Sequence, residues 1–536
     1  MVKGGVPTPI DLSDQETREK ILALLRDLRA LPEEQRDISP VLRRYPSPKG
    51  TYAKSQLLGA YRSLVAEGDL EPDPVLQRRL RARPVRTISG VAPVAVLTEP
   101  YPCPGECIFC PNQARAPKSY LDGEPGVLRA LQFDYDPYAQ TAGRIEALRA
   151  IGHPVDKIEL LILGGTWSSY PETYQEWFLL RCFDAMNEEK SETLTEALHR
   201  NESAPHRNVG LVIETRPDHI TPEEILRLRR QGVTKVQLGA QSLSDEILTL
   251  NRRGHTVEQT RNALRLLRLG GFKIVLHWMP NLFGATPESD RSDFTRLWED
   301  PGLRPDELKI YPTSLLEGTE LYNLWKAGKY HPYDEETLIQ LLMACKTDIP
   351  PYCRVNRLMR DIPADYIVAG TKKSNLRQII QQRMAKVGLT CDCIRCREIR
   401  GRKQVNLDDI SLEIVTYETD ATKEHFLQYV TPCGKLAGFL RLSLPVVPRQ
   451  ELPIPEIRHA AMVREVHVYG PAQALGRRRQ GVQHRGLGTE LLEQAAQMAR
   501  DAGFDELAVI AAVGTRRYYR ERGFTSGTLY PIQDLR

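Results

Sequence analysis

Between about Val91 and Ser314 the sequence alternates short apolar runs with amphipathic stretches, and this alternation restricts the fold more than any other feature. The runs VAPVAVLT, KIELLILGG, NVGLVIETR, VTKVQLGAQS, FKIVLHWMP and ELKIYPTS read as strands. Between them, YQEWFLLRCFDAMNEE, TPEEILRLRRQG and TVEQTRNALRLLRLGG repeat apolar residues every three or four positions, as helices do. Such alternation builds right-handed βα units with parallel strands, so the region is α/β, a complete or partial βα barrel. Chemistry in barrels of this class collects at the C-terminal ends of the strands.

The flanks differ from this core. Residues 13–30 place Ile21, Leu22, Leu25 and Leu28 at helical spacing behind Ser13 as N-cap. Ile38 to Ala66 then carries Arg43, Arg44, Lys49, Lys54 and Arg62 with no acid before Glu67, interleaved with Tyr45, Tyr52 and Tyr61. A second basic knot follows at Arg78, Arg79, Arg81, Arg83 and Arg86, and Lys372, Lys373 and Arg377 form a third group. Cations interleaved with aromatics suit a polyanion with exposed bases, although a solvated helical surface has the same composition. The net charge of +4 over 536 residues adds nothing to this, so only local clustering argues for nucleic acid. From about Val405 the pattern turns to strands (LEIVTYETD, KEHFLQYVTP, KLAGFLRLSLP, AAMVREVHVYG), a long helix, a strand (DELAVIAAVG) and the short helix TRRYYRERG. These shifts divide the chain into a basic helical region (1–75), a barrel (76–340), a cysteine-bearing linker (341–400) and a mixed α/β domain (401–536).

Ten cysteines are present, and seven lie in or near two clusters. The N-terminal sequence shows no secretory leader and no stretch is apolar enough to span a bilayer, so a cytoplasmic chain without membrane contact is expected. Clustered cysteines there hold metal more often than they pair. Cys103, Cys107 and Cys110 form C-x3-C-x2-C directly after the first strand. Three thiolates on one loop suit three irons of a 4Fe–4S cluster with the fourth iron open; a zinc knuckle borrowing a distant ligand is the competing reading. Cys391, Cys393 and Cys396 supply three ligands for zinc, with Cys353 as the fourth and Cys345 as runner-up. Cys182 and Cys433 read as buried or inert.

The first cluster, with Phe109 before its last cysteine and a βα region behind it, resembles the radical S-adenosylmethionine (SAM) enzymes. That resemblance implies a 4Fe–4S cluster whose open iron chelates SAM. It also implies that Gly164, Gly165 and Thr166 meet the methionine moiety, that Glu214 takes the ribose and that Gln241 completes the SAM site, all at strand ends. Gln483, His484, Arg485, Gly486, Leu487, Gly488 and Thr489 stand before the long C-terminal helix and resemble the pyrophosphate turn of GNAT acetyltransferases. Glycines there let backbone N–H groups and the helix N-terminus face a phosphate. By the same resemblance acetyl-CoA binds at this turn, with Tyr518 or Tyr519 beside the thioester.

A radical SAM domain joined to a GNAT domain resembles the catalytic subunit of Elongator and its single-chain bacterial and archaeal relatives. RPVRTISGVAPVAVLTEPYPC, LILGGTW, IETRPD, VQLGAQS, NRRGHT, KIYPTSLLEGTELY, RVNRLMRDIP and RGLGTELL carry the likeness, and the three-residue gap after Cys103 is of the prokaryotic type. The resemblance implies conversion of the tRNA wobble uridine toward 5-carboxymethyluridine. A deoxyadenosyl radical takes a methyl hydrogen from acetyl-CoA, the acetyl radical adds to carbon 5, and thioester hydrolysis follows. The implied partners are the tRNA anticodon region and an external electron donor; homodimerisation is left open. Arg43, Arg44, Lys49, Lys54, Arg78, Arg79, Arg83, Arg86, Lys372 and Lys373 are the expected tRNA contacts. Two other readings compete: a protein lysine acetyltransferase with Glu465 as base and a structural iron–sulfur domain, and a non-catalytic tRNA scaffold.

Overall fold

In the computed structural model, which describes residues 9–32, 35, 37–48, 50–82, 87, 89–399, 409–469 and 486–536, the predicted alternation becomes a parallel sheet. Its strands are β1 (Ala92–Leu97), β2 (Lys157–Leu163), β3 (Arg207–Thr215), β4 (Lys235–Gln241), β5 (Lys273–Trp278), β6 (Glu307–Ile310) and, after a two-residue strand β7 (Leu315–Leu316), β8 (Arg354–Arg357). The order is β1-β2-β3-β4-β5-β6-β8, all pairs parallel, with β1 and β8 left as edges: a half-barrel. β7 forms a small antiparallel ribbon with β9 (Ile367–Ala369). The seventh barrel strand thus lies beyond residue 340, inside the stretch read as linker. RVNR has one buried apolar residue, Val355, and therefore no strand-like apolar run.

Burial along β2 alternates strictly. Ile158, Leu160 and Ile162 pack against the helices, and Lys157, Glu159, Leu161 and Leu163 face the lumen. The helices Glu172–Asn187, Pro222–Arg230 and Val257–Leu269 cover the outer face, each at a predicted position. At the N-terminus the helix runs Gln15–Ala30, and its cap is Asp14, whose carboxylate accepts the Thr17 N–H at 2.9 Å. Ser13 instead bonds Asp11. Four helices here share a core that includes Leu25, Leu57, Tyr61, Leu76 and Leu80. Helix Pro74–Leu80 therefore belongs to this unit, and the boundary set at 75 cuts through it.

The second sheet follows β10 (Ser411–Glu418), β11 (Thr422–Val430), β12 (Leu436–Pro445), β13 (Ala460–Val468), β14 (Glu506–Val509), β15 (Thr525–Ser526) and β16 (Pro531–Asp534) in the order β10-β11-β12-β13-β14-β16-β15. β13 and β14 are its parallel pair. Helix Leu487–Asp501 packs across it through Leu491, Leu492, Ala495 and Ala499. Cys182 is buried in the barrel, as expected. Cys433 is exposed, because it sits in the turn that joins β11 to β12.

The two sheets are not separate bodies. One apolar core runs from Val94 and Leu160 in the barrel to Met462, Val513 and Tyr530 in the C-terminal unit. Charges are buried within it. Arg464 of β13 donates to Asp306 at 3.0 Å, to Glu424 at 2.9 Å and to the Phe272 carbonyl at 3.1 Å. Asp306 also accepts the Ile274 N–H of β5 at 2.9 Å. Burial alone would raise the Glu424 pKa, but Arg464 and Arg268 outweigh it and hold it down to about 2. Arg229, fully buried, donates to the carbonyls of Ala511 and Leu529, each at 2.8 Å. A side chain on Gly514 would collide with Asn208 backbone, so the units meet at backbone contact.

Removing one member of a buried ion pair leaves its partner desolvated and unpaired, a loss of about 3–5 kcal/mol. Arg464→Met is expected to lower the unfolding free energy by that order in urea titrations followed by fluorescence. Because the Glu424 pKa is depressed from its usual 4.5, its contribution is complete above pH 4.5 and is lost as pH falls toward 2. The wild-type midpoint should therefore drop over that window more than that of Arg464→Met.

Candidate active site

The loop after β1 brings Cys103, Cys107 and Cys110 to the C-terminal end of the half-barrel. Ile108 pins it: its side chain packs with Leu315, Leu321 and Tyr330, its N–H reaches the Asn251 carbonyl at 3.3 Å, and its carbonyl accepts the Leu321 N–H at 2.9 Å. The Gly105 N–H points to the Cys103 sulfur at 3.4 Å, and Arg253 Nη1 donates to the Cys107 sulfur at 3.7 Å. Burial, with Cys107 beside it, pushes the Cys110 thiol up to about 12. Tetrahedral zinc with bonds of about 2.3 Å would draw its sulfurs to about 3.8 Å apart. Among the described residues the three-ligand group whose donor atoms all lie within 4.8 Å is Cys391, Cys393 and Cys396. The sulfurs of Cys103, Cys107 and Cys110 are spread more widely, which fits a larger group than one zinc ion.

The other strand ends converge on this loop. Gly164 and Gly165 have φ of +133° and +106°, and a Cβ on Gly164 would overlap the Thr98 hydroxyl. Only glycine fits there, and backbone is left facing the loop. Thr166 lies beside Cys103, 3.8 Å from its sulfur. Glu214 ends β3 with both oxygens engaged, accepting from Tyr120 OH at 2.8 Å and Lys309 Nζ at 3.2 Å. Gln241 ends β4 with φ +72°, and its side-chain oxygen is buried with no hydrogen-bond partner among the described residues. A strained residue presenting an unanswered acceptor is the kind of feature a bound ligand completes.

At the far end, Gly486 (φ +85°) caps helix Leu487–Asp501. A Cβ on Gly488 would lie 2.6 Å from the Tyr518 hydroxyl. Arg522 stacks on the Tyr518 ring at 3.6 Å and donates to Thr489 Oγ1 at 3.0 Å, tying tyrosine and turn together. Tyr519 is 8% exposed and packs on Phe524 in the domain core. Of the two tyrosines it is Tyr518 that abuts the turn. Gln483, His484 and Arg485 lie outside the described residues.

One continuous cavity of about 1970 Å³ joins these ends, from Cys103, Glu214 and Gln241 to Gly488, Thr489 and Tyr518. Its middle is the barrel lumen, which is polar. Lys235 pairs with Glu159 at 2.7 Å and with Glu307 at 3.5 Å, and Lys273 reaches Glu307 at 3.6 Å and Glu465 of β13. Burial opposes the ionised form of Glu307, but Lys235 and Lys273 hold its pKa down to about 2. Glu465, bound also by Arg441 at 3.0 Å, has a salt-bridge partner on each oxygen. Burial opposes its ionised form, but Lys273 and Arg441 hold its pKa well below the usual carboxylate range, which makes it a weak proton acceptor. Apart from Glu465, these lumen residues were missed in sequence. Their signal was polar residues at alternate positions of runs that otherwise read as fully buried: Lys157 and Glu159, Lys235 and Gln237, Glu307 and Lys309.

The second cysteine cluster keeps three of its four expected members. Cys353 lies outside the 4.8 Å group, although it is buried next to Cys393 and its carbonyl accepts the Ile394 N–H at 2.9 Å. Cys345 is buried beside Arg291 and Asp348 instead. The group could hold a metal, with Lys346 and Gln381 donating to Cys396 at 3.8 and 3.6 Å.

The basic residues divide. Arg43, Arg44, Arg78, Lys372 and Lys373 are exposed, with Arg44 beside Asp27 and Lys373 beside Glu335. Arg79 instead caps the first helix, donating to the carbonyls of Leu28, Leu31 and Pro32, and Lys54 donates to the Arg79 carbonyl at 3.0 Å. Helix ends leave carbonyls without partners, and these two cations satisfy carbonyls at such ends. Arg377 donates to the Val355 carbonyl. Tyr52 and Tyr61 are buried in the helical core and cannot stack on bases. Lys49, Arg83 and Arg86 lie outside the described residues.

Comparison with known proteins agrees with this geometry. The Radical SAM superfamily model matches residues 102–293 and the Radical SAM C-terminal domain model residues 305–386. Fold, cysteine loop and these matches together define a radical SAM protein. The chain is 43% identical over 481 residues to the tRNA uridine(34) acetyltransferase of Methanocaldococcus infernus, covering 87% of this chain and 89% of that one. It is 45% identical over 449 residues to the tRNA uridine(34) acetyltransferase of Dehalococcoides mccartyi (82% and 96%) and 35% identical over 485 residues to Elongator complex protein 3 of Homo sapiens (86% and 87%). The solved structure of the archaeal M. infernus Elp3 with an N-terminal deletion superposes with a TM-score of 0.73 at 39% identity, covering 84% of this chain and all of that one. The chain belongs to the Elongator complex protein 3 family.

Three changes check the site. Gly488→Val should drive Tyr518 from the turn and weaken the acetyl-CoA binding expected there at least tenfold by calorimetry, with the far-UV spectrum unchanged. Cys393→Ser should remove metal counted by plasma mass spectrometry, while Cys353→Ser leaves that count unaltered.

Proposed function

We propose that this chain modifies the wobble uridine of tRNA, joining SAM-dependent radical chemistry to acetyl-CoA and producing 5-carboxymethyluridine. The observation that carries the reading is the single cavity linking the cysteine loop to the Gly486–Thr489 turn. Two remote sites would need a diffusing intermediate; one cavity needs none. The relatives named tRNA uridine(34) acetyltransferase support the substrate.

In this reading Cys103, Cys107 and Cys110 hold a 4Fe–4S cluster, which with SAM supplies one-electron cleavage of a carbon–sulfur bond. Gly164, Gly165 and Thr166 offer backbone and hydroxyl to the methionine moiety. Glu214, fixed by Tyr120 and Lys309, takes the ribose, and the unpaired oxygen of Gln241 takes a donor beside it. The C-terminal unit acts as a GNAT domain. Its parallel pair stops at Val463–Val509, and β13 runs on to Val468 bonded only to β12. The strands therefore part, and a wedge opens toward the cavity where an extended pantetheine arm fits. Gly486, Leu487, Gly488 and Thr489 turn backbone N–H groups toward its pyrophosphate. Tyr518 stands at the thioester end, where its phenol orients the acyl group or donates a proton. Cys391, Cys393 and Cys396 bind zinc and stiffen the junction between barrel and C-terminal domain. Arg43, Arg44, Arg78 and Lys372 contact tRNA phosphates.

Anaerobic incubation with SAM, acetyl-CoA, reductant and tRNA, followed by nucleoside mass spectrometry, should yield 5′-deoxyadenosine and 5-carboxymethyluridine together. Cys103→Ser should abolish both. Deoxyadenosine without modified uridine would overturn the transfer step and leave the SAM chemistry standing.

A further inference from the structure

The NRRGHT segment, residues 251–256, has no part in the scheme above, yet it lies under the cysteine loop. Asn251 supplies the carbonyl that holds Ile108. Arg252 and Gly254 both have positive φ, +49° and +74°, and this tight turn faces Arg253 toward the loop and Gly254 toward Arg216. Arg253 and Arg216 are 6% and 3% exposed.

Each guanidinium is anchored by part of its donor set and leaves Nη1 toward the cysteines. Arg253 donates from Nε and Nη2 to the Gly239 carbonyl, at 3.3 and 2.6 Å, and from Nη1 to the Cys107 sulfur at 3.7 Å. Arg216 is held by Asp218 through Nε and Nη2, both at 2.9 Å, and by the Gly254 carbonyl at 3.3 Å. Its Nη1 is buried without an acceptor and touches the loop so closely at Gly105 that a Cβ there would overlap it. A buried guanidinium N–H with no acceptor is costly to keep unless something answers it. Nothing among the described residues does, and what adjoins it is the loop that carries Cys103, Cys107 and Cys110.

We propose that Arg216 and Arg253 are positioning residues that set the reduction potential of a 4Fe–4S cluster held by Cys103, Cys107 and Cys110, favouring its reduced state. This rests on the cluster assignment made above. The step is a one-electron transfer from an external low-potential donor, with no bond made or broken. With three thiolates the site passes from one net negative charge to two. Two buried cations on one side of it, at least one donating to a thiolate sulfur, stabilise the added charge; hydrogen bonds to sulfur and local charge are established levers on cluster potential.

The test uses the full chain reconstituted anaerobically as wild type, Arg253→Gln, Arg216→Gln and Arg253→Lys. Iron is counted, and the cluster is titrated by electron paramagnetic resonance against dithionite and mediators, without SAM or tRNA. Both glutamine variants should hold the wild-type iron count. At fixed potential their reduced-to-oxidised ratio should fall, about tenfold for Arg253→Gln, equivalent to about 59 mV for a one-electron couple. Arg253→Lys should recover part of the shift. Unchanged midpoints at full iron content would overturn the proposal, as would loss of the cluster from both glutamine variants, which would make the arginines structural. Weaker SAM binding by Arg216→Gln at an unshifted potential would overturn it for Arg216. Wild-type protein that takes up no such cluster would instead refute the underlying assignment.

Discussion

The arrangement depends on charge buried between two sheets. Arg464 projects from the C-terminal unit onto Asp306, whose carboxylate also receives the β5 backbone, and onto Glu424 of β11. Burying these charges is expensive, and a well-packed apolar contact could hold the sheets as tightly. What the ionic contact adds is direction: it tolerates only one placement of β13 against the N-terminal ends of β5 and β6. That placement aims the wedge between β13 and β14 into the barrel floor.

Barrels ordinarily close that floor with apolar side chains and work at the opposite face. Here the floor is a ladder of Glu159, Lys235, Glu307, Lys273 and Glu465, every rung satisfied by the next. A polar lumen stays open where an apolar one would collapse, and the cavity passes through it. In the proposed function, radical and acyl-transfer chemistry thus share one passage. The half-barrel supplies one set of strand ends at its top, and its floor admits the second domain.

Much of this was legible in the sequence because local patterns dictated it. The six apolar runs became strands, and the glycines of LILGG and the first glycine of RGLG, Gly486, took positive-φ conformations that their lack of a Cβ allows. What failed to show depends on tertiary contact. RVNR is a strand because β6 lies beside it, not from its own composition. Arg79 and Lys54 resemble surface cations until the ends of helices are placed next to them. Tyr61 reads as a stacking aromatic until four helices close over it. Cys353, expected as the fourth ligand because it follows the rigid PPY turn, lies outside the group of three whose sulfurs come within 4.8 Å. The lumen charges were visible as polar residues at alternate positions, but their meaning required knowing which face of each strand points inward.

The central claim is that both chemistries meet in one cavity, and isotope transfer tests it most directly. Acetyl-CoA deuterated at the methyl group would be incubated anaerobically with the reconstituted protein, SAM, reductant and tRNA, and 5′-deoxyadenosine analysed by mass spectrometry. Deuterium transferred from acetyl-CoA into deoxyadenosine is the predicted result. Deoxyadenosine formed without deuterium, while uridine is still modified, would contradict the account.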